Sequence, residues 1–163
     1  MALKGFQTKE NKEMIRPSDI QPDVELREFL AGQIHVGLPS GGSRQLSVFG
    51  DWEKPTNEVP EDFLIVMNNG DIGGVGMDID FARGYVAVSL YCKLNDDGTV
   101  KKNRVKKILE QFDDIIERRK TEHYFFRYAH PQFITPTTPN ITSGYSITTL
   151  NLIWHTTNNL NES

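Results

Sequence analysis

The sequence predicts an α+β fold in a single domain: a mostly antiparallel sheet of about five strands with two α-helices packed on one face. Residues 84–94 and 145–155 alternate at the period of two that is typical of a β-strand. Residues 100–119 instead carry an apolar stripe at helical spacing. Few connections are long enough for the crossover that parallel neighbours need, so we expect most strands to pair antiparallel.

The first elements are a helix and two strands. Apolar residues recur at helical spacing after residue 19, Pro22 suits a first helical turn, and the glycines from residue 37 end the pattern. Residues 46–49 form a short strand. Residues 63–67 are unbroken apolar, which favours a strand covered on both faces. The members of the helical pattern are Leu26, Phe29, Leu30 and Ile34.

The later elements are better defined. In the strand over residues 84–94, alternate residues share one apolar face, and the turn sequence of residues 95–98 follows. The long helix comes next, and strands over residues 124–128 and 145–155 close the fold. The last strand has large apolar groups on both faces, which predicts burial on both sides or an intersubunit contact. The helix stripe consists of Val105, Ile108, Leu109, Phe112, Ile115 and Ile116.

Four segments describe the domain organisation. Residues 1–18 are polar and lack periodicity, so we expect a flexible arm. Residues 19–157 form the domain. Within it, residues 129–144 contain three prolines and are predicted to be a stiff projecting arm. Residues 158–163 are a polar tail.

Composition excludes several classes of protein. The net charge of −4 disfavours general binding to nucleic acid. The first residues lack the apolar region of a signal peptide, and no run is long enough to span a membrane, so we expect a soluble protein made inside the cell. Cys92 is the only cysteine, which excludes an internal disulfide, and its place in an apolar strand favours a buried thiol over a nucleophile.

No motif predicts catalysis, a cofactor or a metal. The glycines of residues 70–76 lack the Lys-Ser or Lys-Thr of a phosphate loop, which favours a flexible loop over a nucleotide site. Asp71, Asp78 and Asp80 lack the closing glutamate of a calcium loop, as does the turn at residues 95–98. The four histidines show no zinc spacing, and there is no Gly-x-Ser-x-Gly elbow. We therefore expect a protein that is not an enzyme.

The long helix has an unusual charge distribution. Cations gather in its first half although the helix macrodipole favours acidic groups there. One interpretation is a solvated face, helped by pairs such as Lys106–Glu110 and Asp114–Arg118. The other is a basic end that binds an acidic partner surface, including the acidic stretch of a neighbouring copy. The candidate interaction residues are Lys101, Lys102, Arg104, Lys106, Lys107, Asp113, Asp114 and Glu117.

The projecting arm provides a second candidate interaction surface. Phe133, Ile134 and Ile141 lie in a connection that otherwise has the composition of an exposed segment. Either they fold back onto the core, or they are anchors for another protein, because exposed apolar groups are otherwise costly.

The order and character of the elements resemble the tail terminators of long-tailed bacteriophages. The resemblance covers about residues 20–157. It includes the opening helix and the strand that ends in Val48-Phe49-Gly50. It continues through the strand entry Pro60-Glu61-Asp62-Phe63, the strand Gly84-Tyr85-Val86-Ala87-Val88, the helix after the turn and the long closing strand to Trp154-His155.

The resemblance implies a virion structural protein of the tail or neck. Such a protein forms a homo-oligomeric ring, generally a hexamer, on the last ring of the tail tube. It stops tube polymerisation, and its opposite face receives the head-side connector protein. DNA passes through the lumen without specific binding. Ring formation requires two different complementary patches on each subunit, for which the charged helix and the last strand are the candidates.

Two alternatives remain open at the level of sequence. One is a head-completion or neck connector protein, which joins the portal to the tail. The other is a small nucleic-acid-binding domain with a basic patch and aromatic stacking platforms. Its basic residues would be Lys101, Lys102, Arg104 and Lys106, and its platforms Tyr85, Tyr91 and Tyr124.

Overall fold

The computed structural model describes residues 20–53, 61–68, 73–74, 82–118, 120–129, 138–140 and 144–156. The described chain has the predicted α+β architecture. Its helices are α1 (Pro22–Leu30) and α2 (Lys102–Arg118). Its strands are β1 (His35–Gly37), β2 (Ser43–Gln45), β3 (Ser47–Gly50), β4 (Asp62–Asn68), β5 (Gly73–Gly74), β6 (Ala82–Lys93), β7 (Tyr124–Tyr128), β8 (Thr138–Asn140) and β9 (Tyr145–Thr156).

The main sheet follows the order β3-β4-β6-β9-β7, which gives the five strands that the sequence predicts. β3 pairs parallel to β4, and the other neighbours on this path pair antiparallel. The centre is the long pairing of β6 with β9, in which Arg83 lies opposite His155 and Lys93 opposite Tyr145. Short strands extend it, since β5 pairs with β6 and β8 with β9.

Both helices pack on one face of this sheet. The stripe of α2, which includes Ile108 and Phe112, joins Leu26 and Leu30 of α1 in one buried cluster with alternate residues of the strands. In β9 every second residue from Ser146 to Thr156 is buried, and the residues between them are half-buried. The sequence predicted burial on both sides or an intersubunit contact for this strand; within the described chain only its helix-facing side is fully buried, and the contact stays a prediction. We call the sheet face opposite the helices the outer face.

The first helix is shorter than the sequence pattern suggests. α1 begins at Pro22, whose fixed φ suits a first turn, and ends at Leu30. Gly32 has a φ of +79°, a left-handed conformation that stops the helix. Ile34 is nevertheless fully buried, because the chain beyond the turn leads it into the same core. Its helical spacing therefore predicted its burial correctly and its secondary structure wrongly.

A two-stranded antiparallel sheet, β1–β2, was not predicted. These strands have three residues each, and only Val36 is buried in them, so they are too short and polar to show an alternating pattern. The turn predicted at residues 95–98 is present: Gly98 donates to the carbonyl of Asn95 at 2.9 Å, and its φ is +84°. The carboxylate of Asp97 accepts hydrogen bonds from Thr99 within this turn.

Several predicted segments lie wholly or partly outside the described residues. These include the arm of residues 1–18, the tail of residues 158–163 and most of the glycine-rich loop, whose described part is β5. Within the predicted arm of residues 129–144, β8 is paired with β9. This portion is therefore part of the sheet and does not project.

Candidate interaction surfaces

The basic half of α2 is mainly solvent-exposed. Lys102, Lys106 and Lys107 are exposed and Lys101 is half-buried. The first turn contains no acidic residue, as the sequence indicates. Lys106 lies 3.9 Å from Glu110, which is the predicted i,i+4 pair. Both side chains are mostly exposed, so the pair contributes at most a few tenths of a kcal/mol.

Arg104 differs from its neighbours because its guanidinium is bound within the fold. It donates to both carboxylate oxygens of Asp62, with Nε 3.0 Å from Oδ1 and 2.9 Å from Oδ2. The hydrogen bond to Asp62 raises the pKa of Arg104 above its usual value. A second arginine, Arg44, reaches the same carboxylate at 3.2 Å. Arg104 is therefore a structural ligand of Asp62 and not a member of an exposed basic surface.

Asp62 is 1% exposed and begins β4 on the core-facing side of the sheet. A buried carboxylate is stable only when it is paired, and the two arginines supply the pairing. Cys92 lies opposite Asp62 on β6. Burial, and after it the charge of Asp62, raises the pKa of the Cys92 thiol. The position of Cys92 confirms the sequence interpretation of this residue as a buried thiol.

A cleft of about 220 Å³ lies between α2 and β1, and its walls are tied to each other. The amide of Gln111 spans β1 at His35: the side-chain oxygen accepts from the His35 N–H at 3.0 Å, and the side-chain nitrogen donates to the His35 carbonyl at 2.8 Å. Arg104 also donates to the carbonyl of Gly37 at 3.0 Å. The polar groups of α2 at this cleft thus hold the β1–β2 sheet.

The acidic half of α2 forms a stripe on the exposed side of the helix. We call Glu110, Asp113, Asp114 and Glu117 the acidic stripe; they are all exposed and repeat every three or four residues. Asp113 accepts a hydrogen bond from the hydroxyl of Tyr128 on β7. Burial, and then the bond to Asp113, raises the pKa of Tyr128. The stripe is therefore held beside the β7 edge of the sheet.

The outer face of the sheet carries an aromatic cluster around β4, β6 and β9. Phe63 stacks on Tyr91 with a centroid distance of 4.8 Å and an angle of 4°. Tyr145 meets Phe63 edge-on at 5.6 Å, and Phe49 meets it edge-on at 6.0 Å. Apart from Phe63 these rings are only half-buried, as are their aliphatic neighbours on the same face: Ile65, Met67, Ile147 and Ile153.

The outer face becomes basic at the β7 edge. Arg83, His155 and Phe125 lie opposite one another in one row across β6, β9 and β7, and Tyr85, Ile153 and Arg127 form the next row. Phe125 stacks on His155 at 5.0 Å, and Lys120 Nζ lies 5.6 Å from the Phe125 centroid. Burial, and then the charge of Arg127, lowers the pKa of His155. We call Arg83, Tyr85, Lys120, Phe125, Arg127 and His155 the basic-aromatic patch.

The nucleic-acid-binding residues predicted from the sequence do not come together. Tyr124 is 1% exposed and lies in the core, where it packs against Trp154. Tyr85 and Tyr91 are on the outer face, whereas the lysines of α2 belong to the helical layer on the other side of the sheet. Sequence alone also missed the basic-aromatic patch, of which it singled out only Tyr85, because five of its six residues come from three separate strands whose register no local pattern reveals.

Other predicted features fall outside these surfaces. Phe133, Ile134 and Ile141 are outside the described residues. Among the described residues, no group of three or more His, Cys, Asp and Glu side chains is arranged to hold a metal ion. In the same residues, no helix combines the length and the apolar character needed to cross a membrane.

No protein-family model matches the chain, and the search for similar curated proteins gives no match.

Proposed function

We propose that this protein is a structural component of a phage virion: a tail terminator that forms a homo-oligomeric ring on the tail tube. The observation that carries the proposal is the outer face of the sheet. Its half-buried aromatic and aliphatic side chains extend over four strands, and both helices are packed on the other face. A sheet face with this many aromatic and aliphatic side chains, which neither helix covers, favours contact with another protein surface.

The chemistry of the described residues supports assembly over catalysis. The buried carboxylate of Asp62 is bound by arginines, and the Cys92 thiol is buried in the core. Polar groups at the cleft beside α2 bind the backbone of β1. These groups stabilise the fold, whereas the residues left at the surface are aromatic, aliphatic and charged groups of the kinds that are common in interfaces.

A ring requires two different patches on each subunit, and the fold offers surfaces on both of its layers. The outer face belongs to the sheet layer, and the charged side of α2 belongs to the helical layer. A subunit with these surfaces can contact one neighbour through each layer. In the proposed ring, one side binds the last ring of the tube protein and the other receives the head-side connector. The net charge of −4 suits a lumen through which DNA slides.

The first experiment measures assembly. Native mass spectrometry and negative-stain imaging of the purified protein should show closed rings, which we expect to be hexamers. An Ile153→Asp variant places a charge on the half-buried outer face and should remain folded by circular dichroism but lose ring formation. A Leu38→Asp variant is the control, since Leu38 is already exposed and lies outside the main sheet.

The second experiment measures function with purified tube protein. The protein should arrest tube growth and bind tube ends in substoichiometric amounts. Continued growth in its presence would contradict the proposal. Binding to DNA-filled heads without any effect on tubes would instead assign the protein to the head-side connector class.

A further inference from the structure

From the charge and position of two surfaces we infer that the basic-aromatic patch of one copy binds the acidic stripe of a second copy. The contact is head-to-tail: each subunit offers its patch to one neighbour and its stripe to the other. This inference rests on the proposed function, because it specifies the subunit contact of the proposed ring. Its test is nevertheless independent of the tail tube.

The patch has the composition of an interface centre. Tyr85 is 49% exposed and Phe125 36% exposed, which makes them two of the most exposed large apolar side chains in the described chain. Arg83 and Arg127 flank them, and Lys120 lies at the Phe125 ring. Tyrosine, phenylalanine and arginine are the residues that are enriched at protein interfaces. The three cations favour an acidic partner surface over a basic or apolar one.

The acidic stripe supplies such a surface on the same chain. It displays four carboxylates along about two turns of α2. The bond between Asp113 and Tyr128 and the packing of Phe112 against Tyr128 fix this half of the helix to the β7 edge. The stripe is thus a rigid, preformed surface, so little conformational entropy is lost when a partner binds it.

The two surfaces cannot meet within one subunit. The patch is on the outer face of the sheet, and α2 packs on the other face, so the sheet itself separates them. They are complementary but different, which makes a contact between copies heterologous. Such a contact closes into a ring when its rotation allows.

A nucleic acid is a less suitable occupant of the patch. Base stacking requires an accessible ring face, and the Phe125 ring already contacts His155 and Lys120. The chain also carries a net negative charge, which opposes binding to a polyanion. A protein surface that presents carboxylates beside its own apolar groups fits both the aromatic and the cationic members of the patch.

Charge reversal provides the test. An Arg83→Glu/Arg127→Glu variant makes the patch acidic, and a Glu110→Lys/Asp114→Lys/Glu117→Lys variant makes the stripe basic. Asp113 is left unchanged because it binds Tyr128. In a ring made of one variant alone, like charges face each other at every contact between subunits. The dissociation constant for self-association, measured by sedimentation velocity, should therefore rise about tenfold or more.

A mixture of the two variants should restore assembly. The basic stripe of one variant meets the acidic patch of the other, and the remaining contact pairs an acidic stripe with a basic patch. Native mass spectrometry should therefore show equal numbers of the two variants in each ring, which requires an even number of subunits. A single chain carrying all five substitutions should also assemble, since its reversed charges attract again.

Control variants separate the contact from net charge. Lys93→Glu alters the same face of the sheet at the other end of β6, about 33 Å from Arg83. Glu28→Lys/Asp51→Lys/Asp96→Lys alters exposed acidic residues outside α2 and changes net charge as much as the stripe reversal. Both controls should assemble as the unaltered protein does.

Several outcomes would overturn the inference. They are a monomeric unaltered protein, reversal variants that assemble normally, and a mixture that stays dissociated although each variant is folded. Binding of a single-stranded DNA oligonucleotide that only the patch reversal removes would assign the patch to a polyanion instead. If the mixture assembles but tube growth continues in the presence of the unaltered ring, the contact stands and the tail terminator function fails.

Discussion

At the scale of single residues, Gly84 is a position of the sheet where a buried ring leaves no space for a side chain. A Cβ at Gly84 would lie 2.7 Å from Cζ2 of Trp154, whose side chain is fully buried. The substitution Gly84→Ala should therefore lower the free energy of unfolding by about 1–3 kcal/mol through overpacking, measured by urea denaturation. Gly37→Ala is the matched control, because a Cβ there meets no atom within 4 Å. Equal stabilities of the two variants would contradict this account.

Asp62 leads to a second prediction at the same scale. Asp62→Asn keeps the shape of the side chain but leaves Arg44 and Arg104 without their counter-charge. Loss of one member of a buried pair costs about 3–5 kcal/mol, and the partial exposure of both arginines reduces this to about 2 kcal/mol. Urea denaturation should show this loss. Glu110→Gln, which removes only an exposed pair with Lys106, should change stability by less than about 0.5 kcal/mol.

The pairing of Asp62 with Arg104 shows where prediction from sequence ends. The two residues are 42 positions apart, and Arg104 stands among lysines that are exposed. One signal was present: Asp62 is two and four residues before Leu64 and Val66, so the strand period places its carboxylate on their buried face. A carboxylate there needs a cation, but sequence alone does not say which one.

At the scale of elements, the β1–β2 sheet depends on α2. Gln111 binds both backbone groups of His35, as a neighbouring strand would. Gln111→Ala should leave α2 intact but speed hydrogen exchange at the His35 amide by about tenfold or more. One hydrogen bond contributes about 1 kcal/mol to stability, and its loss also releases the edge of β1. The control is Asn103→Ala, an exposed residue of the same helix. Unchanged exchange at His35 would show that Gln111 does not hold β1.

The prediction of helices and strands succeeded where a periodic apolar pattern extends over many residues. The stripe of α2 and the alternation of β6 and β9 each involve many residues, and the apolar faces predicted for α2 and β6 are buried, with Leu109 partly so. For β9 the sequence predicted burial on both faces or an intersubunit contact, and in the described chain one face is buried and the other half-buried. It failed at β1 and β2, whose three-residue lengths provide no period, and at Ile34, which lies beyond the turn at Gly32. The candidate sites differ in the same way. The acidic stripe lies on one helix, so the sequence pattern could predict it, whereas the basic-aromatic patch depends on the register of three strands, which the sequence does not show.

At the scale of the whole molecule, Cys92 reports on opening of the core. Its thiol is fully buried with a raised pKa, so alkylation requires both exposure and loss of a proton. Modification by iodoacetamide should be slow in the native protein and should follow the unfolding transition as urea is added. The fully denatured protein, which should react at once with one equivalent, provides the reference rate. Rapid stoichiometric reaction without urea would contradict the buried position.

The place of β9 also determines when the molecule can be completed during synthesis. Its residues pair with β6, β7 and β8, and the pairing with β6 joins positions 52 to 72 residues apart. A nascent chain that ends before residue 145 therefore contains β6 with one edge unmatched and the core without Trp154. Release of β9 from the ribosome is the event that closes the sheet, and until then the hydrophobic edge of β6 is a substrate for chaperones.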